Sequence, residues 1–327
     1  MPVAIQMAAY GPPAVLVPVD VPEPVPGPGD VIVRALVIGV NRADCFIRSG
    51  AWPQAGPWPY VPGLECCGVV HRCGAQVTAF APGDAVITMM QRLGGIHGER
   101  PGGYQDLVRV SENVLVRVPD EIDWDTLGTL GLPAVTAVGS VEALAVEPGM
   151  RVLVHAGSSA VGQLAIQVLR ARRAEVVATG TRPAKSAAIL DAGATAFACT
   201  AEPTWPRDVG PVDRVIDLVG GPLFGATVGL LRPGGRLVFV GGTAGGDLAF
   251  SGWDLMRPAT LTGWSSESLT ARTLARHVAQ VAALSASGQL RCRHVARFPL
   301  ADAAEAHGEL ESGALTGRVV LIPAHPR

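Results

Sequence analysis

A short run of glycine and small polar residues, positions 157 to 162, has the composition of a loop that binds phosphate. It reads Gly-Ser-Ser-Ala-Val-Gly and follows the apolar run Val152-Leu153-Val154. Apolar residues then recur at helical spacing between Leu164 and Leu169, so the pattern predicts a strand, a tight turn and a helix. The first amides of such a helix have no acceptor inside it, and the helix dipole favours an anion there. The stretch can therefore bind the diphosphate of a dinucleotide.

Two glycines of this loop stand at the first and last positions of the dinucleotide-binding pattern GxGxxG. They are Gly157 and Gly162, while Ser159 occupies the middle position, where the missing side chain normally lets the phosphate come close. The serine therefore either shifts the phosphate or donates its hydroxyl to it. Taken alone, the loop is also compatible with a tight turn in an unrelated α/β protein. The residues predicted to bind the diphosphate are Gly157, Ser158, Ser159, Ala160, Val161 and Gly162.

The end of the next predicted strand carries cations where an NAD site carries a carboxylate. The strand covers residues 175–179 and is followed by Thr181, Arg182 and Lys185. Arginine can bind a 2′-phosphate with paired donors, lysine adds a positive charge and threonine adds a hydrogen bond, whereas Asp or Glu would repel that phosphate. These residues predict NADPH as the cofactor in preference to NADH. The alternative is a solvated basic start of a helix, where cations are disfavoured unless they bind something.

Length, composition and charge limit the possible classes of protein. The 327 residues, 48% of them hydrophobic, are enough for two domains with a buried core. The formal net charge of −2 gives no reason to expect a nucleic acid or an anionic membrane as partner. Because neither a long apolar span nor a secretion signal is recognisable, we expect a cytoplasmic protein. The six cysteines lack the spacing of a zinc ribbon, so we expect ordinary thiols and no metal.

The predicted elements change in type near Trp124. Before it, short β-branched runs broken by turns predict a partly open barrel or a sandwich. After it, a helical pattern interrupted by Pro133 leads into alternating strands and helices, which predict a doubly wound parallel sheet. Turns at 157–162, 181–185, 218–220 and 240–242 begin where strands of this sheet end, and ligands bind at such carboxyl ends.

These patterns predict two domains. The first covers residues 1–124, and residues 263–327 pack back on it, because three short elements of mixed type make a poor domain alone. The second covers residues 125–262. The patterns also predict strands over 102–110, 235–242 and 290–298 and a helix over 224–231.

Along nearly its whole length the chain resembles the zinc-independent quinone-oxidoreductase branch of the medium-chain dehydrogenase/reductase family. The matching segments occur in the family's order and spacing; they are 41–50, 62–70, 83–86, 102–104, 132–137, 155–162 and 317–321. The resemblance implies an α/β protein with a GroES-like catalytic domain, a Rossmann NADPH-binding domain and an active site in the cleft. It also implies a homodimer.

Zinc-dependent members of the family differ from this chain at two ligand positions. They place a Cys where this chain has Asn41 and a His where it has Leu64, and neither a carboxamide nor an alkyl group replaces those zinc ligands. The resemblance therefore implies no zinc. It places Asn41 near the nicotinamide or substrate, Thr136 near the nicotinamide ribose, Val240 and Gly241 at the carboxamide, and Arg318 within reach of the cofactor. Val219, in the turn after residue 217, is a further predicted cofactor contact.

The expected reaction is hydride transfer from NADPH to a small, hydrophobic, electron-poor acceptor such as a quinone or an α,β-unsaturated carbonyl. Asn41 is the first candidate to stabilise the negative charge on the acceptor oxygen, followed by Arg42 and Tyr60. Enoyl-thioester reductases of the family carry a proton-donating tyrosine where this chain has Trp52, which cannot serve as an acid. With Phe46 and Trp58, Trp52 either forms an apolar pocket for a flat acceptor or packs in the core.

Two other functions are also compatible with the sequence. One is an NADPH-binding sensor or structural protein with little turnover, which the missing acid and the imperfect glycine loop would explain. The other is an enoyl-thioester reductase of a biosynthetic, polyketide-type pathway.

Overall fold

The computed structural model describes residues 1–52, 57–90 and 100–324, which form two compact units. The first unit comprises residues 1–132, 266–286 and the C-terminal segment from 292, of which 325–327 lie outside the described residues. The second unit comprises residues 133–265 and 287–291. The boundary falls after Leu132, later than the predicted residue 124, because Arg297 of the first unit binds the Asp125 carboxylate through two 2.8 Å hydrogen bonds. Residues 287–291 join the second unit, where the Gln167 side chain bonds both backbone groups of Arg291.

The first unit is built on a mostly antiparallel sheet. Its strands are β1 Val3–Gln6, β2 Val17–Asp20, β3 Asp30–Val40, β4 Glu65–Cys73, β5 Ala85–Met89, β6 Leu107–Ser111, β7 Val116–Arg117, β14 Val295–Pro299 and β15 Arg318–Ile322. Seven of them form one sheet in the order β14-β15-β3-β4-β5-β7, with β6 also paired to β3, while β1 and β2 pair with each other. Strand β3 is central and almost wholly buried, as its β-branched apolar run predicts.

The described residues of the first unit also form three α-helices and part of a fourth. They are α1 Arg42–Ser49, the first half of α2 Trp124–Ala143, α7 Ala271–Ala286 and α8 Ala303–Ser312. Helix α1 begins where the Asn41 amide donates to Asp44 Oδ2 at 2.8 Å, and it ends at Gly50 in the left-handed conformation. Helix α2 is broken at Gly131, whose φ is 44° and ψ −143°, just before Pro133. The sequence pattern therefore located this break correctly.

The second unit is a six-stranded parallel sheet with helices. Its strands are β8 Arg151–Val154, β9 Glu175–Gly180, β10 Ala196–Cys199, β11 Val212–Asp217, β12 Leu231–Phe239 and β13 Ala259–Gly263, in the order β10-β9-β8-β11-β12-β13. The helices are the second half of α2, α3 Ala160–Ala171, α4 Ser186–Asp191, α5 Trp205–Val209 and α6 Phe224–Gly229. The central strands are buried along their length, as parallel strands covered on both faces must be.

Several element bounds differ from those predicted. Helix α6 ends at Gly229 because Leu231 is buried in the core as the first residue of β12. Strand β6 begins at Leu107, since Gly102 is packed against the Pro62 carbonyl in a tight turn. Strand β14 begins at Val295, because residues up to 291 belong to the second unit.

Candidate active site

The predicted dinucleotide-binding turns of the second unit share one edge of its sheet. Strands β9, β8, β11 and β12 are neighbours and parallel, so the turns that follow them lie side by side at their carboxyl ends. The structure thus brings together residues 157–162, 181–185, 219 and 240–241. This edge is where open α/β sheets bind ligands.

The two glycines of the first turn are required by packing. A side chain at Gly157 would place its Cβ 2.8 Å from that of Ala178, which would push the loop away from β9. A side chain at Gly162 would collide with the Ala156 carbonyl group at the start of the loop. Ala156 itself has a φ of 50°, a strained left-handed conformation for a residue with a side chain. The loop is therefore held close to both the strand and the helix that follow it.

Ser159, at the middle glycine position, caps helix α3. Its Oγ accepts a 3.0 Å hydrogen bond from the Gly162 amide. The hydroxyl hydrogen of Ser159 is not used in that bond and remains a donor for an anion. The Ser158 carbonyl accepts from the Gln163 side chain at 2.9 Å, so the loop is fixed from within. Ala160 and Val161 open the helix, where amides lack intrahelical acceptors, and this set of donors fits a diphosphate.

The predicted 2′-phosphate residues follow strand β9 at the same edge. Thr181 and Arg182 are exposed, and Lys185 is half-buried in the short 3-10 helix Pro183–Lys185. Within residues 1–52, 57–90 and 100–324, the structure gives the Arg182 guanidinium no acidic partner. An exposed cation without a protein counter-charge at this position fits the binding of a phosphate group.

Asp217 organises the turns that hold Val219, Val240 and Gly241. Its Oδ1 accepts from the amides of Val219 at 2.8 Å and Gly220 at 3.0 Å, and its carbonyl accepts from the Val240 amide at 2.8 Å. This role was not predicted from the sequence, although an acidic residue that ends an apolar strand was a usable signal. Thr136, predicted near the ribose, is almost fully buried in the second half of α2.

His155, directly after β8, supports the glycine loop from inside the second unit. Its Nδ1 lies 2.8 Å from Thr179 Oγ1 and its Nε2 lies 2.9 Å from Thr227 Oγ1. Because the Thr227 hydroxyl donates to the Leu223 carbonyl, it must accept from His155 Nε2. Burial lowers the pKa of His155, although Asp217 opposes this, so the ring is neutral. This chain of hydrogen bonds could not be predicted from the sequence, because a lone histidine in an apolar run has no characteristic pattern.

In the first unit, the Asn41 carboxamide lies between two opposite charges. Its Nδ2 donates to Glu65 Oε1 at 2.8 Å, and its Oδ1 accepts from Arg318 Nη1 at 3.0 Å. Arg318 Nη2 also donates to Glu65 Oε1 at 2.5 Å. Asn41 is partly exposed, whereas each of the two charged side chains is only 2% exposed. The second Nδ2 hydrogen of Asn41 is not used by Glu65, and the Asp44 carboxyl, which also bonds the Asn41 side chain, lies next to it.

Glu65 and Arg318 are fixed by contacts besides those with Asn41. Glu65 Oε2 accepts from the Leu132 amide at 2.7 Å. Arg318 donates to the carbonyls of Val40 at 3.0 Å and Thr129 at 3.2 Å. Arg318, expected to reach the cofactor, is thus placed as a buried ion-pair partner within the first unit. The opposite charge is that of Glu65, for which no chemical role was predicted from the sequence.

The other predicted catalytic residues are placed as follows. The Arg42 guanidinium donates to the Leu310 carbonyl at 2.9 Å, which ties α1 to α8. The Tyr60 hydroxyl is buried and has no hydrogen-bond partner among the described residues. Burial and the nearby Asp44 charge raise the pKa of Tyr60 well above its usual range, which makes it a poor acid. Trp52 is 38% exposed and packs on Phe46, with ring centroids 5.3 Å apart.

The donors at the zinc-ligand positions do not suit a metal. Asn41 is engaged by Arg318 and Glu65, and Leu64 is buried. Among the residues that the structure describes, no group of three His, Cys, Asp or Glu side chains is placed to bind a metal ion. All six cysteines are free thiols.

Two family models match the sequence. They are "Alcohol dehydrogenase GroES-like domain" over residues 27–120 and "Zinc-binding dehydrogenase" over residues 184–321. The quinone oxidoreductase of Pseudomonas aeruginosa is 31% identical over 98% of this chain and 99% of its own length. The quinone oxidoreductase of Lama guanicoe is 29% identical over 98% of this chain and 97% of its own.

Solved structures that are similar to this chain include further quinone oxidoreductases. The quinone oxidoreductase of Pseudomonas syringae has a TM-score of 0.88 and 29% identity, with coverage of 99% of this chain and 100% of that one. The Escherichia coli quinone oxidoreductase, complexed with NADPH, also has a TM-score of 0.88, at 25% identity, with coverage of 98% and 100%.

The chain therefore belongs to the medium-chain dehydrogenase/reductase family, with a GroES-like domain and a Rossmann sheet. Within that family it belongs to the quinone-oxidoreductase branch. It is an oxidoreductase that uses a nicotinamide cofactor, and the fold class and family inferred from the sequence are confirmed. No helix in the described parts of the chain is both long and apolar enough to span a bilayer.

Proposed function

We propose that this protein transfers hydride from NADPH to a quinone or an α,β-unsaturated carbonyl compound, without zinc. The observation that carries the proposal is the Asn41 carboxamide, which an ion pair holds at the position of a zinc ligand in zinc-dependent relatives. The names of the relatives support a quinone as the acceptor.

The preference for NADPH is supported by the end of strand β9. Arg182 is exposed there, with Thr181 and Lys185 beside it, and no carboxylate takes the place where an NAD site would carry one. A guanidinium can bind a 2′-phosphate through two parallel hydrogen bonds, which the 2′-hydroxyl of NADH cannot match.

When bound, the reduced nicotinamide supplies the hydride. The task of the chain is then to stabilise the negative charge that develops on the acceptor oxygen. Asn41 Nδ2 is the donor we assign to that task. A preorganised donor of this kind is worth roughly 10²–10³-fold in kcat. A proton completes the two-electron reduction, and it comes from water or a weak donor, because Tyr60 is buried and the Trp52 indole is no acid.

Aromatic side chains of the first unit support this substrate class. Trp52 and Trp58 remain 38% and 42% exposed while they pack on Phe46 and Tyr10. Partly exposed aromatic rings that are held by ring contacts suit a flat, hydrophobic acceptor.

Stopped-flow oxidation of NADPH with panels of quinones and enones tests the proposal. We expect acceptor-dependent oxidation, and we expect Asn41→Ala to lower kcat by roughly 10²–10³-fold. The matched control is Asn113→Ala, at an exposed position of the same residue type. No oxidation with any acceptor would contradict the proposal, and so would stoichiometric zinc in the purified protein.

A second candidate function is NADPH binding without appreciable turnover. The buried, unpartnered Tyr60 hydroxyl favours it, because its raised pKa makes this candidate a poor acid for the acceptor. Calorimetry separates the two functions: tight NADPH binding without acceptor-dependent oxidation would support the second. An enoyl thioester in the acceptor panel tests the biosynthetic alternative.

We also propose that the protein is a homodimer. Strand β13 is at one edge of the parallel sheet, and the short helix Gly252–Met256 before it exposes Trp253 at 81% and Met256 at 74%. An open sheet edge beside exposed large apolar residues is a surface that a second copy can cover.

A further inference from the structure

We propose that Glu65 and Arg318 are positioning residues, which fix the orientation of the Asn41 carboxamide so that its nitrogen is the end that donates to the acceptor. This inference rests on the proposed function of Asn41. It assigns to Arg318 a role in the first unit instead of contact with the cofactor.

The two ends of the carboxamide face partners of opposite charge. Nδ2 donates to the Glu65 carboxylate at 2.8 Å, and Oδ1 accepts from the Arg318 guanidinium at 3.0 Å. A rotation of the amide by 180° would set Oδ1 against a carboxylate and Nδ2 against a cation, and both contacts would be repulsive. A lone asparagine has no such preference, because its two ends are nearly the same size. The ion pair therefore selects one orientation.

The ion pair is itself held rigidly. Leu132 donates to Glu65 Oε2 at 2.7 Å, and Arg318 donates to Val40 and Thr129 carbonyls. Two glycines leave the space for it, since a side chain at Gly39 or at Gly131 would collide with the charged groups. Neither partner can follow Asn41 if the carboxamide turns.

Stability alone gives little reason for such a pair. Buried ion pairs are often no more stable than apolar residues of similar volume, because desolvation offsets the attraction between the charges. The side chains of this pair are themselves buried, and they contact Asn41, which remains partly exposed beside them. Orientation of that asparagine is a function that apolar residues could not supply.

The test replaces both charges at once, so that no unpaired charge is left in the core. In Glu65→Gln with Arg318→Met, the new glutamine can still accept from the Leu132 amide but can present either oxygen or nitrogen to Asn41. We expect kcat with a quinone acceptor to fall at least 10-fold, while the calorimetric Kd for NADPH changes less than twofold. In an Asn41→Ala background the same pair of changes should alter kcat less than twofold, since its effect acts through Asn41.

A spectroscopic measurement gives a result that does not depend on turnover. The chain contains two asparagines, Asn41 and Asn113, so selective ¹⁵N labelling yields two side-chain NH₂ groups in an NMR spectrum. We expect the Asn41 NH₂ hydrogens to have well-separated shifts and slow exchange in the natural protein. Both properties should be lost in the double variant and retained in Asn113→Ala. Should the double variant fail to fold, Glu65→Asp keeps the charge, withdraws it from Nδ2 and should weaken the same signals.

Each failure has a distinct meaning. Unchanged kcat and unchanged Asn41 signals in the double variant would overturn the inference, as would a further loss of kcat in the Asn41→Ala background. A loss of NADPH affinity would also overturn it, because Arg318 would then contact the cofactor. If Asn41→Ala alone leaves kcat unchanged, the proposed function of Asn41 fails, and this inference falls with it.

Discussion

Ser159 stands where the dinucleotide pattern has glycine, and it also caps helix α3. Its Oγ accepts from the Gly162 amide, so the side chain satisfies one helix donor and keeps its own hydrogen for the diphosphate. The sequence left open whether the serine displaces the phosphate or binds it. The cap geometry favours binding, because it turns the hydroxyl toward the helix N-terminus.

Removal of the cap has a predictable cost. Ser159→Ala should lower the free energy of unfolding by about 1 kcal/mol, whereas Ser159→Gly should lower it by only a few tenths, because glycine is also accepted as an N-cap. Urea denaturation of both variants measures this order. Equal losses, or a larger loss for glycine, would contradict the role of Ser159 as a cap.

Arg182 is an exposed cation that follows strand β9. Arg182→Ala should weaken NADPH binding by roughly 10–100-fold, the value of a charge-assisted hydrogen bond or two, and leave NADH binding unchanged. Titration of both cofactors by calorimetry measures the difference. Arg172→Ala is the control, since Arg172 is an exposed arginine at the other end of helix α3. Equal losses for both cofactors would contradict a 2′-phosphate contact.

Buried polar side chains join helices α1 and α8 and the turn before β6. Cys45 Sγ lies 3.6 Å from His307 Nδ1, and Tyr104 Oη lies 2.9 Å from His307 Nε2. Burial, with the positive charge of Arg48, lowers the pKa of His307 to about 3. Burial raises the pKa of Asp44, on α1, to about 7, aided by the charge of Glu65 and opposed by the Asn41 amide.

His307 should make stability depend on pH under acidic conditions. In the unfolded chain a histidine binds a proton near pH 6.5, whereas the folded His307 does so only near pH 3. Its contribution is therefore present above pH 6.5 and is lost as the pH falls toward 3. His307→Gln keeps a polar side chain and cannot titrate, so its free energy of unfolding should vary less with pH over this range. Urea denaturation at a series of pH values measures the difference.

The titration of Asp44 should change stability with pH in the direction opposite to that of His307. Its folded pKa of about 7 lies above the unfolded value of 3.8, so its contribution is present below pH 3.8 and is lost as the pH rises through 7. Asp44→Asn resembles the protonated carboxyl. Its free energy of unfolding should approach or exceed that of the natural protein as the pH rises from 4 to 7. A constant difference between the two proteins over this range would contradict a raised pKa.

The edge of the parallel sheet at strand β13 is the surface that the proposed dimer would cover. In the proposed dimer, strand β13 and the neighbouring Trp253 and Met256 face a second copy. Trp253→Glu with Met256→Glu should shift the sedimentation coefficient from that of a dimer to that of a monomer, since two like charges would be buried without partners. Leu190→Glu is the control, because Leu190 is 47% exposed on α4 beside the opposite edge strands. A natural protein that sediments as a monomer would contradict the dimer.

Local patterns in the sequence were enough to predict the parallel sheet, the glycine loop and the break in α2. Each depends on residues within about one element: an apolar run for a buried strand, two glycines for a close turn, and Pro133 after Gly131 for a broken helix. The cation after β9 is also local, because strand end and helix start are adjacent in the chain. The edge strand β10 was missed because its residues, Ala-Phe-Ala-Cys, include no β-branched run like that of β8.

The positions of the buried charges were decided only by the tertiary structure. Arg318 could be assigned to a cofactor from family resemblance, but its partner Glu65 is 253 residues away, and Asn41 lies between them. Whether a charge is exposed or paired depends on which distant strands meet, here β15 with β3 and β3 with β4. The sequence by itself determined which chemistry was possible at each strand end. The packing of remote elements decided which side chains remain free to take part, because desolvation forces every buried charge to find its partner inside the fold.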